Sequence, residues 1–159
     1  MLELSKRSSL FIFLLLCLVL PSLLSAQELT LLQEQARDYR NQGFEYQRQA
    51  RLDEAMICYQ KAMQLDRYFV IAYNDLGIIY EAKGWLDRAE RIYLAGLEVN
   101  PNYLNLYSNL AMLYEQKEDY KRAVTYWERR IELGSPDEEW VKKAKERLDV
   151  LKKVVPELK

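Results

Sequence analysis

The 159-residue chain contains no histidine. It therefore lacks the side chain that most often moves protons near neutral pH and most often binds transition metals. Beyond residue 26 the aliphatic hydroxyls are Ser108, Ser135, Thr30 and Thr125, and the thiol is Cys58. None sits in a G-x-S-x-G turn, and the five glycines form no phosphate-cradling loop. Zinc would need paired cysteines or histidines, which are missing. Cys58 adjoins Tyr59 and has Lys61 as its near cation, a setting that suits an inert thiol better than an activated one. Acid is concentrated at Asp137-Glu138-Glu139. Convergent carboxylates can run a hydrolysis or hold a hard cation. After Ser135-Pro136, these three also read as the start of a helix, whose positive end attracts them. The residues predict no enzyme, no cofactor and no metal.

A net charge of −1 offers no basic excess for nucleic acid and no acidic tail. The N-terminus is different in kind. Lys6 and Arg7 precede an apolar run of eleven residues, Leu10–Leu20, which stops at Pro21. Ser22–Ala26 is small and polar enough for a cleavage region. Basic, then apolar, then small is the layout of a secretory signal peptide. The run is short against the roughly 20 residues of a membrane span. A cut after Ala26 leaves Leu24 where a small residue is preferred, so an uncleaved anchor over residues 8–26 is the alternative. Cys17, inside the apolar run with no small-residue box before it, is not read as a lipidation site. The expectation is a signal peptide or signal anchor over 1–26 and an exported domain over 27–159, placed in a bacterial periplasm. With Cys58 as its one thiol, that domain makes no internal disulfide. It meets a membrane only through an uncleaved N-terminus.

The elements that position the remaining side chains follow from a period of 34. Tyr39, Tyr73 and Tyr107 are 34 apart, as are Tyr46, Tyr80 and Tyr114. Gly43, Gly77 and Ala111 align, and so do Ala55, Ala89 and Ala123. Tyr59, Tyr93 and Trp127 form another column. Leu52, Leu86 and Tyr120, then Met63, Leu97 and Ile131, then Leu65, Val99 and Leu133 complete eight. In the middle row, Tyr73, Leu76, Gly77 and Tyr80 mark one helix face, and Leu86, Ala89, Tyr93 and Leu97 mark a second. Gly84 breaks the helix between them, and Asn100-Pro101 ends the second helix. Small Gly77 and Ala89 let the two helices cross closely. Thr30-x-x-Gln33 reads as a capping box that starts a first helix running to about Arg48. Ser135 as N-cap and Pro136 as first residue start a last helix over 136–153, with Trp140, Ala144, Leu148 and Leu151 on one face. Its other side is charged, as a capping helix requires.

The middle row resembles the tetratricopeptide repeat family through Tyr73, Leu76-Gly77, Tyr80, Ala89, Tyr93, Gly96 and Pro101. Rows 36–69 and 104–137 resemble it more loosely, with Gln42, Arg67 and Arg130 off pattern and Pro136 one place late. The resemblance implies an all-α, right-handed superhelical stack of antiparallel helix pairs, with three repeats (36–69, 70–103, 104–137) and a capping helix. It also implies a protein or peptide partner held in the groove lined by the first helix of each pair. By register the groove positions are Arg37, Arg40, Asn41 and Phe44; Ile71, Asn74, Asp75 and Ile78; and Asn105, Ser108, Asn109 and Met112. Amides there can bond a peptide backbone, and Phe44, Ile78 and Met112 supply apolar contact. One subclass grips a partner's terminal carboxylate with a basic and amide clamp. Here Arg40 stands near one clamp position, but Phe44, Asp75 and Asn109 replace the others, and Asp75 repels a carboxylate. The chain is therefore not expected to bind by that clamp.

Overall fold

The computed structural model describes the backbone of residues 2–155 and the side chains of 25–155. Apart from Ser25 and Ala26, the candidate export segment lies outside the described side chains, Cys17 with it. Among the described residues there are helices and no strand: α1 (Leu2–Arg48), α2 (Leu52–Leu65), α3 (Val70–Ala82), α4 (Leu86–Val99), α5 (Leu104–Gln116), α6 (Tyr120–Leu133) and α7 (Glu139–Val154). None is long and apolar enough, within the described residues, to cross a membrane. The helices pair in chain order, α1 with α2, α3 with α4 and α5 with α6, and α7 packs on α6. The fold is an all-α solenoid of helix pairs.

The turn inside each pair is built three times in the same way. Ala50, Gly84 and Glu118 have φ of 57°, 72° and 58°. Each places one left-handed residue just past a helix end. The next N–H then reaches back to the last turn: Arg51 to the Tyr46 carbonyl at 2.9 Å, Trp85 to Tyr80 at 2.8 Å, Asp119 to Tyr114 at 2.9 Å. The left-handed residue's own N–H bonds Gln47, Glu81 or Glu115. This pair of bonds satisfies helix-end carbonyls that would otherwise lack a donor. Glycine does this without steric cost, whereas Ala50 and Glu118 do it against the repulsion between Cβ and backbone.

The core sits between the two helices of each pair. Tyr59, Tyr93 and Trp127 are fully buried, beside the equally buried Ala55, Ala89 and Ala123. A Cβ built on Gly77 would lie 2.0 Å from Tyr93 Cε1, and one on Gly43 2.7 Å from Tyr59 Cε1. The absent side chain is the space the ring occupies. Two further columns tie successive pairs together. The hydroxyls of Tyr73 and Tyr107 donate to the carbonyls of Arg67 and Pro101, at 3.0 and 2.8 Å. Lys83 reaches Asp53 and Lys117 reaches Asp87, both at 2.7 Å.

Three local expectations change. Thr30 caps nothing: it lies inside α1, and its hydroxyl donates to the Ala26 carbonyl one turn back, at 2.9 Å. Pro136 is not the first residue of the last helix. It lies in a turn, and α7 begins at Glu139 because Glu138 turns out of helix, with ψ of 136°, to serve as its N-cap. Glu138 is instead drawn to Arg130, whose Nη2 donates to its carboxylate. The off-pattern Arg130 is completely buried at the junction of α6 with the end of the stack. α7 buries Val141, Ala144, Leu148 and Leu151, so Val141 rather than Trp140 is the deepest residue of its first turn.

Ala50→Gly and Glu118→Gly should each raise stability by about 0.5–1 kcal/mol, and Gly84→Ala should lower it by about 1 kcal/mol. Urea melts of the three variants check the sign at each position.

Candidate functional site

The candidate surface is carried by α1, α3 and α5, the first helix of each pair. Its centre is a chain of polar bonds across all three. Arg40 Nε donates to Asp75 Oδ2 at 2.6 Å. Asn74 Nδ2 donates to Asp75 Oδ1 at 3.2 Å, and Asn109 Nδ2 to Asn74 Oδ1 at 2.9 Å. The links between helices join residues 35 apart, one column over from the repeat. That offset lets neighbouring first helices bond side to side. Asp75 is 7% exposed and Asn74 6%. Buried polar groups of this kind need partners, and these have them.

The twelve sequence-predicted positions therefore divide. Arg37, Asn41, Phe44 and Asn105 are exposed. Arg40, Ile71, Ile78, Asn109 and Met112 are half-buried, and Ile78 and Met112 pack on the core. Asn74, Asp75 and Ser108 are buried, so they form the floor rather than presenting side chains to a visitor. Ser108 Oγ has no protein partner there. The Arg40 guanidinium also lies 5.3 Å from the Phe44 ring centre, so the one ion pair holds an exposed ring in place. Arg40 is thus already engaged by a carboxylate of its own chain, which reinforces the departure from a carboxylate clamp.

A second polar column escaped the sequence reading. Tyr59 Oη donates to Gln47 Oε1 at 2.7 Å, Tyr93 Oη donates to Glu81, and Trp127 Nε1 donates to Glu115 Oε1 at 2.6 Å. Gln47, Glu81 and Glu115 are themselves 34 apart. They stand at the ends of the first helices, where each acceptor meets the polar tip of the ring beneath. The signal was legible, since all three are long side chains with an acceptor oxygen. Burial pushes the Glu81 carboxyl above the usual carboxylate range, only partly offset by the bond from Tyr93. Burial pushes the hydroxyls of Tyr59 and Tyr93 up as well, so both remain donors at any physiological pH.

Two of the residues that could have done chemistry, Cys58 and Glu138, are otherwise occupied. Cys58 is buried against Gln42, and burial raises its thiol. Glu138 is held by Arg130, while Asp137 and Glu139 face solvent. Among the described residues no three His, Cys, Asp or Glu side chains gather as a metal site.

Known proteins bear directly on this architecture. Tetratricopeptide repeat patterns match residues 39–69, 58–91 and 92–125, together more than half the chain. The chain belongs to the tetratricopeptide repeat family. Two of the matched windows are each 34 residues long and abut, giving the period found here with a different starting point. No curated protein matches the chain. Many solved structures do. The first tetratricopeptide domain of Spaghetti (RPAP3), bound to an HSP90 peptide, superposes with a TM-score of 0.71 at 22% identity, covering 78% of this chain and 98% of that one. The Yersinia enterocolitica type III secretion translocator chaperone SycD gives 0.71 at 18% identity, over 76% and 94%. MamA gives 0.60 at 26% identity, over 62% and 57%. At such identities the likeness concerns the fold.

Arg40→Ala should destabilise the protein by about 1–3 kcal/mol, because it leaves the Asp75 carboxylate buried without its cation. Exposed Asn41→Ala should stay within about 0.5 kcal/mol of the parent. Denaturation of both variants separates the floor of the surface from its rim.

Glu81→Gln should keep the bond from Tyr93, as Gln47 does for Tyr59, while removing a carboxylate that burial disfavours. Because its pKa is raised on folding, the native state binds the extra proton. The parent therefore loses stability as pH rises from the ordinary carboxylate range through the raised value. Thermal melts from pH 4 to 8 should show that loss in the parent and less of it in the variant.

Proposed function

We propose that the chain is a non-catalytic scaffold that holds a segment of a protein partner along α1, α3 and α5. The observation that carries this reading is the rim left exposed above the bonded floor. Arg37, Asn41 and Asn105 are exposed, and Phe44 is 42% exposed with the paired Arg40 guanidinium over its ring. An exposed ring held in place, beside amides able to bond a peptide backbone, is a surface with low ordering cost on binding. The resemblance to a domain solved with an HSP90 peptide and to a secretion chaperone supports a partner made of protein. The bonded state of Arg40 and Asp75 and the position of Phe44 point away from recognition of a terminal carboxylate.

The floor residues change how this reading should be tested. Substituting Arg40 or Asn74 would disturb the stack itself. A photo-crosslinking residue at Phe44 or Asn105 leaves the floor intact. In native cells it should capture a discrete protein, and the same residue at exposed Glu128 on α6 should not. Equal capture from all three sites would remove the groove from the account.

We further propose that the domain acts after export, on the strength of the basic, apolar and small segments of residues 1–26. N-terminal sequencing of the mature protein should then begin near Gln27, in a soluble envelope fraction. Recovery of an intact N-terminus in the membrane fraction would favour anchoring by residues 8–26.

A further inference from the structure

The three turns inside the helix pairs carry a guanidinium over a ring, and the middle one differs from the others in charge. In the first pair Arg51 lies 4.4 Å from the Tyr46 ring and is paired with Glu54 at 2.8 Å. In the third, Arg122 lies 4.2 Å from the Tyr114 ring and is paired with Asp119 at 2.7 Å. In the second, the column of Arg51 and Asp119 holds Trp85, and the column of Glu54 and Arg122 holds Arg88. Trp85 is 37% exposed and packs 5.9 Å from Tyr80. Lys83 and Arg88 lie 4.7 and 4.6 Å from its ring. One turn further along α4, Arg91 is exposed too.

Neither Arg88 nor Arg91 has a carboxylate at ion-pair distance among the described residues, and the nearby acids are committed elsewhere. Asp53 is held by Lys83, Asp87 by Lys117, and Glu90 by Lys117 and Arg122. Glu54 belongs to Arg51. Two guanidinium groups one helical turn apart thus make no ion pair, in a chain whose overall charge is −1, although Arg91 is near enough to Asp87 to help hold that carboxyl below its usual range. They flank an open cleft of about 330 Å³ whose other lining is Tyr80 and Ile92, so apolar and cationic groups share one opening. Arginine presents a planar donor fork suited to carboxylates, and here Trp85 holds one of the two forks in place.

We infer that Trp85, Arg88 and Arg91 form a second docking surface, on α4 and away from the groove, for an acidic segment of a protein partner. Two carboxylates of that segment, three or four residues apart on a helix, match the spacing of the two arginines. An apolar side chain between them enters the cleft against Tyr80 and Ile92. This surface stands independently of the groove, since it uses none of the rim residues on α1, α3 or α5.

The test uses the full chain and a fluorescein-labelled peptide of about a dozen residues built from Glu, Leu and Ala, beside its Gln-for-Glu counterpart. Anisotropy at low salt should show the Glu peptide binding about tenfold more tightly than the Gln peptide, as charge complementarity demands. The double variant Arg88→Glu/Arg91→Glu should lose that difference with an unchanged melting curve, because both residues are exposed. Arg37→Glu in the groove should retain it. Equal binding of the two peptides by the parent overturns the proposal, and so does a preference that survives the double reversal. Sedimentation with phosphatidylglycerol vesicles closes the remaining route. Retention of the parent, its loss in the double variant and indifference to the Glu peptide would assign the patch to an anionic lipid surface and overturn the acidic-segment reading.

Discussion

Each helix pair is organised around one ring set against a small residue, and in the first two pairs the ring fills the space of a missing side chain. Tyr93 lies where a Cβ of Gly77 would be, at 2.0 Å, and Tyr59 does the same beneath Gly43. In the third pair Ala111 and the larger Trp127 share one buried cluster. Close approach of two backbones over a large ring removes apolar surface from water on both helices. A ring that deep brings its polar tip with it, and an unbonded hydroxyl or indole N–H would undo much of the gain. Gln47, Glu81 and Glu115 meet that need. The contact therefore dictates three things together: a small residue on the first helix, a ring on the second and an acceptor at the end of the first. That unit recurs at the spacing of 34.

Repetition is what made the fold legible. Any one aromatic in this chain is ambiguous, but three at a fixed interval share one environment. The same logic extends to the turn residues, where Ala50, Gly84 and Glu118 share a left-handed backbone although only Gly84 announces it. It failed at the ends, where no neighbouring row exists for comparison. Thr30 looked like a cap because helix propensity alone does not reveal that α1 begins upstream. Pro136 looked like a first helical residue because the attraction of Glu138 to a buried arginine is a tertiary fact.

The surface was legible in outline and not in depth. Register identifies which residues of α1, α3 and α5 share a face. It does not say which are covered, because coverage depends on how far neighbouring helices are rotated and drawn together. Asp75 and Asn74 read as ligands for a visitor and serve as ligands for Arg40 and Asn109. The unpaired state of Arg88 could be noticed only once Asp87, Glu90 and Asp53 had been placed on other partners. Charge balance is a property of the folded neighbourhood, and composition reports only its sum.

Arg130 carries one consequence for how the stack meets α7. In the second pair the corresponding residue is Gly96, where even a Cβ would come within 2.8 Å of Leu106 on the following helix. That bare patch of backbone is what allows another pair to be added. Arg130 fills the matching patch on α6 with a buried guanidinium, and two of its nitrogens have no protein partner. Such a group suits α7, at whose N-cap Glu138 meets it. At one point of the repeat the contact thus changes in kind, from bare backbone that receives Leu106 to a guanidinium that receives Glu138.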